Sequence, residues 1–253
     1  MAMPKPPPKL KGFDLVFLVE PKIRPCCGPI FFTRPLESGA PDDIIESGSF
    51  GLADTGTMKL LVTCHHVWDK FQELRRENPQ LKMCLCLNSN SIVLLEPIQP
   101  IDQDENLDIA SFDMKPFLEQ CREIEFFRFN CSREPRVKRG DALAFVGFPG
   151  RIQAHTSIGV RFQRRFHVTR AYDVTDSRVV SDLTRLKPYR QEPKLVGLKD
   201  GYGGISGSPC FLVRQNSVLQ LVALATDEAL GILRFTLLNC LNSAGTINRG
   251  LPC

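Results

Sequence analysis

The chain is punctuated from end to end. Short segments rich in β-branched and aromatic residues recur throughout it, each bounded by clusters of Gly, Pro, Asn, Asp and Ser. A chain broken at such intervals folds as strands and turns. Candidate strands in the first half are residues 14–19, 49–52, 60–63, 84–87, 92–95 and 109–112. In the second half they are residues 142–146, 159–168, 171–174, 209–213, 219–225 and 231–236. About six strands per half predicts an all-β protein of two packed six-stranded antiparallel barrels. Helix is expected only over residues 67–76, VWDKFQELRR, where Val67, Phe71 and Leu74 recur at near-helical spacing, and as a turn or two over residues 116–121.

The 253 residues suffice for this architecture. The expected divisions are a proline-rich arm over residues 1–13, a first barrel over 14–135 and a second over 136–253. The break falls in the charged segment REPRVKRG, residues 133–140. At 43% hydrophobic and 24% charged residues the composition is that of a globular protein, neither disordered nor membrane-spanning. The longest apolar runs are far too short to cross a bilayer. No membrane partner is expected. The opening MAMPKPPPKLKGF lacks the apolar core of a secretory signal. Ten cysteines scattered over the chain, with no CxxC pair, predict reduced thiols in a cytoplasm and no metal site. Cys84 and Cys86 in MCLCL would share a strand face, packing as small hydrophobes.

The stretch GYGGISGSPC, residues 201–210, sets glycines around Ser206 immediately before an apolar strand. A phosphate-binding loop would open a helix instead, so that reading fails on context and no cofactor is expected. A tight turn presenting a serine remains. Serine is a poor nucleophile until a base takes its proton, so a histidine and an acid must lie elsewhere. LLVTCHHV places His65 and His66 after a short apolar strand, and NLDIASF places Asp108 at the start of another. The order His66, Asp108, Ser206 is one of the chain orders in which this triad occurs.

These segments carry a resemblance. TCHHV is similar to the T-x-x-H-V of trypsin-like, chymotrypsin-fold serine peptidases, LDIA to their D-I-A, and GISGSP to their G-x-S-G-[GS]-P. SGSFGL, residues 47–52, resembles the strand upstream of the family histidine, and FVGFPG, residues 145–150, resembles a further strand and turn. The likeness is to the bacterial single-domain type, related to glutamyl endopeptidases and high-temperature-requirement proteases, and it spans roughly residues 48–236. It implies Ser206 as nucleophile, His66 as general base and then acid, and Asp108 as the group that orients the imidazole. It implies an oxyanion hole from the amides of Gly204 and Ser206. It also implies a substrate pocket with Asp200 at its floor and Ala225 and Gly231 at its walls, suited to Arg or Lys. By the same register His65, Asp113 and Ser208 are structural.

The family's animal digestive members carry an aspartate before the nucleophile, which pairs with a new N-terminus after zymogen cleavage. Here that position is Ile205. Control would then fall to loop ordering or an activating partner, and the long basic loop over residues 182–200 is the candidate element. Two other classes compete with a peptidase acting on protein or peptide substrates. One is a catalytically silent module on the same fold. The other is nucleic-acid binding through VRFQRRFHVTR, residues 160–170. That segment reads better as a half-buried strand, and a net charge of +4 is small for an obligate nucleic-acid protein, so no nucleic-acid partner is expected.

Overall fold

The computed structural model describes residues 12–34, 44–87, 92–121, 124–131, 137–148, 153–156, 159–162, 164–182, 204–214, 218–229 and 232–249. Most of them are β-structure, arranged as two large sheets. The first half contributes a helix α1 (Gly12–Ile23), strands β1 (Cys27–Thr33), β2 (Ile44–Asp54) and β3 (Lys59–Thr63), helix α2 (His65–Glu77), then β4 (Lys82–Cys86), β5 (Ile92–Leu94), β6 (Pro100–Asp104), β7 (Ile109–Asp113) and β8 (Phe127–Arg128). The second half contributes β9 (Ala142–Gly147), β10 (Gln153–Thr156), β11 (Gly159–Phe162), β12 (Arg165–Val174), β13 (Arg178–Asp182), β14 (Pro209–Val213), β15 (Leu219–Ala229) and β16 (Ile232–Leu237).

The second half closes. Six of its strands run β12-β13-β16-β15-β14-β9, and β9 returns to pair with β12, completing a six-stranded antiparallel barrel, while β10 and β11 pair separately as a hairpin. Phe145 and Phe235 meet edge to face inside it, with ring centroids 5.4 Å apart. The strands of the first half run β5-β4-β1-β2-β3-β7-β6, antiparallel throughout, with β8 joining β2 in parallel. Among the described residues this sheet ends at β5 and β6. The closed first barrel expected from the strand count is therefore not found there. Trp68 and Phe71 of α2 cover the sheet, packing against Phe112 and Phe32 at centroid separations of 5.2 Å each.

Residues 14–19, expected as a strand, belong to α1. Val19 and Ile23, four residues apart, are both fully buried, whereas Phe17 and Leu18 are exposed; one buried stripe of helical period is the physical reason for the difference. The helix is not a free arm. Glu20 meets Arg164, just before β12, at 3.1 Å. Residues 159–168 are divided between β11 and β12, and 171–174 is the end of β12 rather than a strand of its own. Residues 1–11, residues 133–136 of the expected break, and residues 183–203, which take in all but the first residue of the expected control loop, lie outside the described residues.

The end of the chain returns to the first sheet. Asp102 on β6 accepts the backbone N–H of Ile247 at 2.8 Å and a guanidinium N–H of Arg249 at 2.6 Å, and buried Ser111 on β7 donates to Gly245 O at 2.5 Å. Residues 245–249 thus clasp the sheet that precedes the barrel. No described helix is long and apolar enough to cross a membrane.

Candidate active site

Helix α2 starts at His65 and its N-cap, Cys64, offers no side-chain hydrogen bond. The first amides of a helix need acceptors, and a negative charge near them is favoured by the helix dipole. Asp108 supplies both from the turn between β6 and β7. One carboxylate oxygen accepts the backbone N–H of His66 at 2.9 Å, and the other lies 2.8 Å from His66 Nδ1. The aspartate therefore fixes the helix end and the ring together, holding the imidazole proton on Nδ1 and leaving Nε2 as the free base.

Asp108 reaches this position through an unusual backbone. Its φ is +54°, the only positive value at a non-glycine among the described residues. Aspartate tolerates that region better than most side chains. The preceding turn is closed by Asp108 N–H donating to Glu105 O at 3.2 Å and Leu107 N–H donating to Asp104 Oδ1 at 2.8 Å.

The serine turn lies across the junction of the two sheets. Ser49, at the middle of β2 and fully buried, donates its N–H to Ser206 O at 2.8 Å and its hydroxyl to Gly204 O at 2.7 Å. Its carbonyl accepts the Thr63 hydroxyl at 2.7 Å. From the barrel side, Gly207 N–H donates to Ala225 O, and Ala225 N–H donates to Ser208 O, at 2.8 and 2.9 Å. Gly204 and Gly207 have φ of +95° and +89°, as a turn this tight requires. At Gly207 there is no alternative to glycine: a Cβ would stand 2.1 Å from Ser49 O and 2.4 Å from Thr63 Oγ1.

Within the turn, Ser208 N–H donates to Ile205 O at 2.9 Å. A trans peptide sets its carbonyl and following N–H on opposite sides, so the Ser206 N–H faces away from the interior of the turn. Neither that amide nor the Gly204 amide donates to an acceptor among the described residues. The Ser206 hydroxyl is donated to Thr226 O at 3.4 Å, and no hydrogen bond joins it to His66 among the described residues. Thr226 is followed by Asp227, whose carboxylate acts on His66 through its charge.

His66 is half-exposed and titrates above the ordinary imidazole value. Partial burial, the largest single influence, opposes the charged ring. The Asp108 hydrogen bond, the Asp108 charge and then the Asp227 charge outweigh it together. Cys64 Sγ, a His66 ring nitrogen and an Asp108 oxygen lie within 4.8 Å of one another, a spacing that would admit a metal ion. The thiol argues otherwise. Cys64 is fully buried and donates to Ala225 O at 3.2 Å, and burial followed by the charge of Asp108 pushes it well above the usual thiol range. Metals take the thiolate, so an ion here would have to displace the thiol proton and its hydrogen bond to Ala225 O.

His65 is half-buried, and its ring makes no hydrogen bond among the described residues. Asp113 ends β7 and accepts the Lys115 N–H at 2.8 Å, a local turn contact. Ser208 is fully buried and its hydroxyl has no partner among the described residues. Ala225, expected as a pocket wall, has no exposed surface: it belongs to the barrel core beneath the serine turn, and the exposed position beyond it is Asp227. Asp200 and Gly231 lie outside the described residues. Ser49 and Thr63 were absent from the sequence expectation; the glycines flanking Ser49 in SGSFG were the available signal, marking a strand another backbone approaches closely. The chain matches no protein-family model and no curated protein.

Proposed function

We propose that the chain is a serine endopeptidase of the trypsin-like class, hydrolysing peptide bonds in protein or peptide substrates through an acyl-enzyme. The observation that carries this reading is the Asp108–His66 pair, in which one carboxylate holds both the backbone and the ring of the histidine at 2.9 and 2.8 Å. That is the arrangement a general base needs: one tautomer, one orientation and a nearby negative charge to stabilise the imidazolium. Ser206 on its glycine-flanked turn is the nucleophile. His66 Nε2 takes the hydroxyl proton as Oγ attacks the carbonyl, then returns it to the leaving amine. The amides of Gly204 and Ser206 receive the oxyanion, where each such donor contributes about 3 kcal/mol to transition-state stabilisation.

In this reading the open first sheet is the counterpart of a first barrel, and the site sits between the halves. Substrate entry turns the Ser206 hydroxyl from Thr226 O toward His66, a tightening common to sites without substrate. Cleavage after Arg or Lys is proposed on Asp200 alone, through a charge-assisted contact. Buried cysteines such as Cys26 and Cys84, whose thiols burial raises to about 12, behave as inert packing groups, which favours a reducing cytoplasm as the working compartment.

The test is labelling of the full chain with a fluorophosphonate, followed by peptide mapping. An adduct on Ser206, lost in Ser206→Ala, is expected. Its absence from wild type would overturn the enzyme reading. The second reading, a catalytically silent module that binds partners through the same junction, draws on the Ser206 hydroxyl being donated to Thr226 O rather than to His66; persistent failure to label would favour it.

A further inference from the structure

We propose that Ile205 is a positioning residue for the nucleophile, an apolar peg seated on the backbone of Gly147 that locks the turn presenting Ser206. The inference rests on Ser206 being the nucleophile and adds how its turn is held.

The turn cannot hold itself. Gly204 and Gly207 flank it with positive φ, and glycine has little preference for any one backbone shape. Hydrogen bonds from Ser49 tie the carbonyls of Gly204 and Ser206 to the other sheet, whereas the peptide between Ile205 and Ser206 is bonded only within the turn, from Ser208 N–H to Ile205 O. What ties that peptide to the rest of the molecule is the Ile205 side chain. It is buried to 3% exposure in the barrel core with Leu143, Phe145, Val222 and Ala223. Its Cγ2 sits so close over the end of β9 that a Cβ on Gly147 would lie 2.6 Å from it and 2.9 Å from Ile205 Cβ. The seat therefore exists only because position 147 is glycine.

A β-branched side chain has restricted χ1 freedom, so a fixed Ile205 side chain fixes its own backbone. The Ile205 carbonyl then points into the turn to take the Ser208 N–H, and the Ser206 N–H is left facing outward. The peg thus aims both the attacking hydroxyl and one oxyanion donor. An apolar peg answers to packing of the barrel and cannot pair with a freed amino group. The turn is accordingly set when the barrel closes, and control must act through the junction or through substrate access.

The experiment compares wild type, Ile205→Val, Ile205→Ala, Gly147→Ala, the Gly147→Ala/Ile205→Ala double variant and Val179→Ala. Val179 is a fully buried residue of the same core on β13, away from the turn. Hydrogen exchange of peptides covering residues 204–213 and the rate of fluorophosphonate labelling would be measured on each full chain. Ile205→Ala is expected to speed exchange of the turn amides at least about tenfold beyond the change in the barrel strands. Its labelling should slow by about 100-fold, as misplaced reacting groups do. Ile205→Val, which keeps the branch, should restore most of both. Val179→Ala should lose global stability with labelling and turn exchange unchanged. In the double variant both substitutions act on one contact, so the loss of labelling should fall well short of the product of the two single losses.

Equal effects of Ile205→Ala and Val179→Ala on turn exchange would overturn the peg, as would losses of labelling that simply multiply in the double variant. Should Ile205→Ala not fold, Ile205→Val against Gly147→Ala decides the matter by the same two readouts. Wild type that does not label would defeat the catalytic reading, while turn exchange would still decide whether Ile205 locks the turn.

Discussion

The two sheets hold their parts of the site by different physics. The open sheet carries the proposed acid and base, which are bonded to each other: Asp108 reaches from the β6–β7 turn to the first turn of α2 and binds His66 twice. The closed barrel carries the serine, and the serine turn is incomplete without the other sheet. Its carbonyls at positions 204 and 206 are taken by Ser49 of β2, and its glycine at 207 fits against Ser49 O and Thr63. A dyad built inside one sheet should survive damage to the junction. The proposed nucleophile, held across the junction, should not.

Gly207→Ala is the most severe way to break this comparison. The added methyl meets backbone at 2.1 Å, and the φ of +89° is one that alanine rarely adopts. A stability loss of roughly 3 kcal/mol or more is expected from the clash and the strained backbone together, read as a fall in the denaturant midpoint. Fluorophosphonate labelling should be abolished. The low-field proton NMR signal of the His66 ring N–H bound to Asp108 should persist in the variant while it remains folded. Loss of that signal in the folded variant would show that the dyad also depends on the junction.

Ser49→Ala is a milder cut at the same place. It removes the hydroxyl that Gly204 O and the Phe148 N–H share, at 2.7 and 3.4 Å, without adding atoms. Leaving a buried polar group unpaired costs about 1–3 kcal/mol, so a modest drop in melting temperature is expected, with labelling slowed about tenfold by the looser turn. Labelling unchanged at that stability would mean that the Ser49 hydroxyl supports the fold alone.

Local patterns made part of this legible. TCHHV, LDIA and GISGSP identified His66, Asp108 and Ser206 as candidates, and β3, β7, β14 and α2 fall within a residue or two of where hydrophobic spacing put them. What escaped depends on contacts that no window contains. β1 was missed because CGPIFFT opens with a glycine and a proline, yet all seven residues are buried between β2 and β4, where pairing overrides the breakers. Residues 14–19 are apolar enough for either period, and packing of Val19 and Ile23 into the first core makes them helix. Ser49 acts on a residue 155 positions away, and the left-handed backbone of Asp108 is visible only once the β6–β7 turn is formed. Ala225, expected at a pocket wall, is fully buried in the barrel core, with its backbone bonded to Gly207 and Ser208 of the serine turn.

The finest distinction between the two sheets is electrical. Asp227 stands on β15 of the barrel, paired at 2.5 Å with Arg234, yet its charge reaches His66 of the other sheet. In its proposed role as general base His66 must be neutral to accept the serine proton, so the labelling rate should rise as pH rises through the His66 pKa. Burial opposes the imidazolium, but the Asp108 bond and charge and the Asp227 charge raise that pKa, placing the acid limb above the ordinary imidazole value. In Asp227→Asn one raising influence disappears, and the acid limb of the labelling rate should move to lower pH with its plateau nearly unchanged. Asp108→Asn provides the contrast, since it removes the tautomer-fixing bond with the charge and should lower the plateau itself. A plateau that falls in Asp227→Asn, with the midpoint fixed, would assign Asp227 to the binding of substrate or to the shape of β15, and not to the electrostatics of the base.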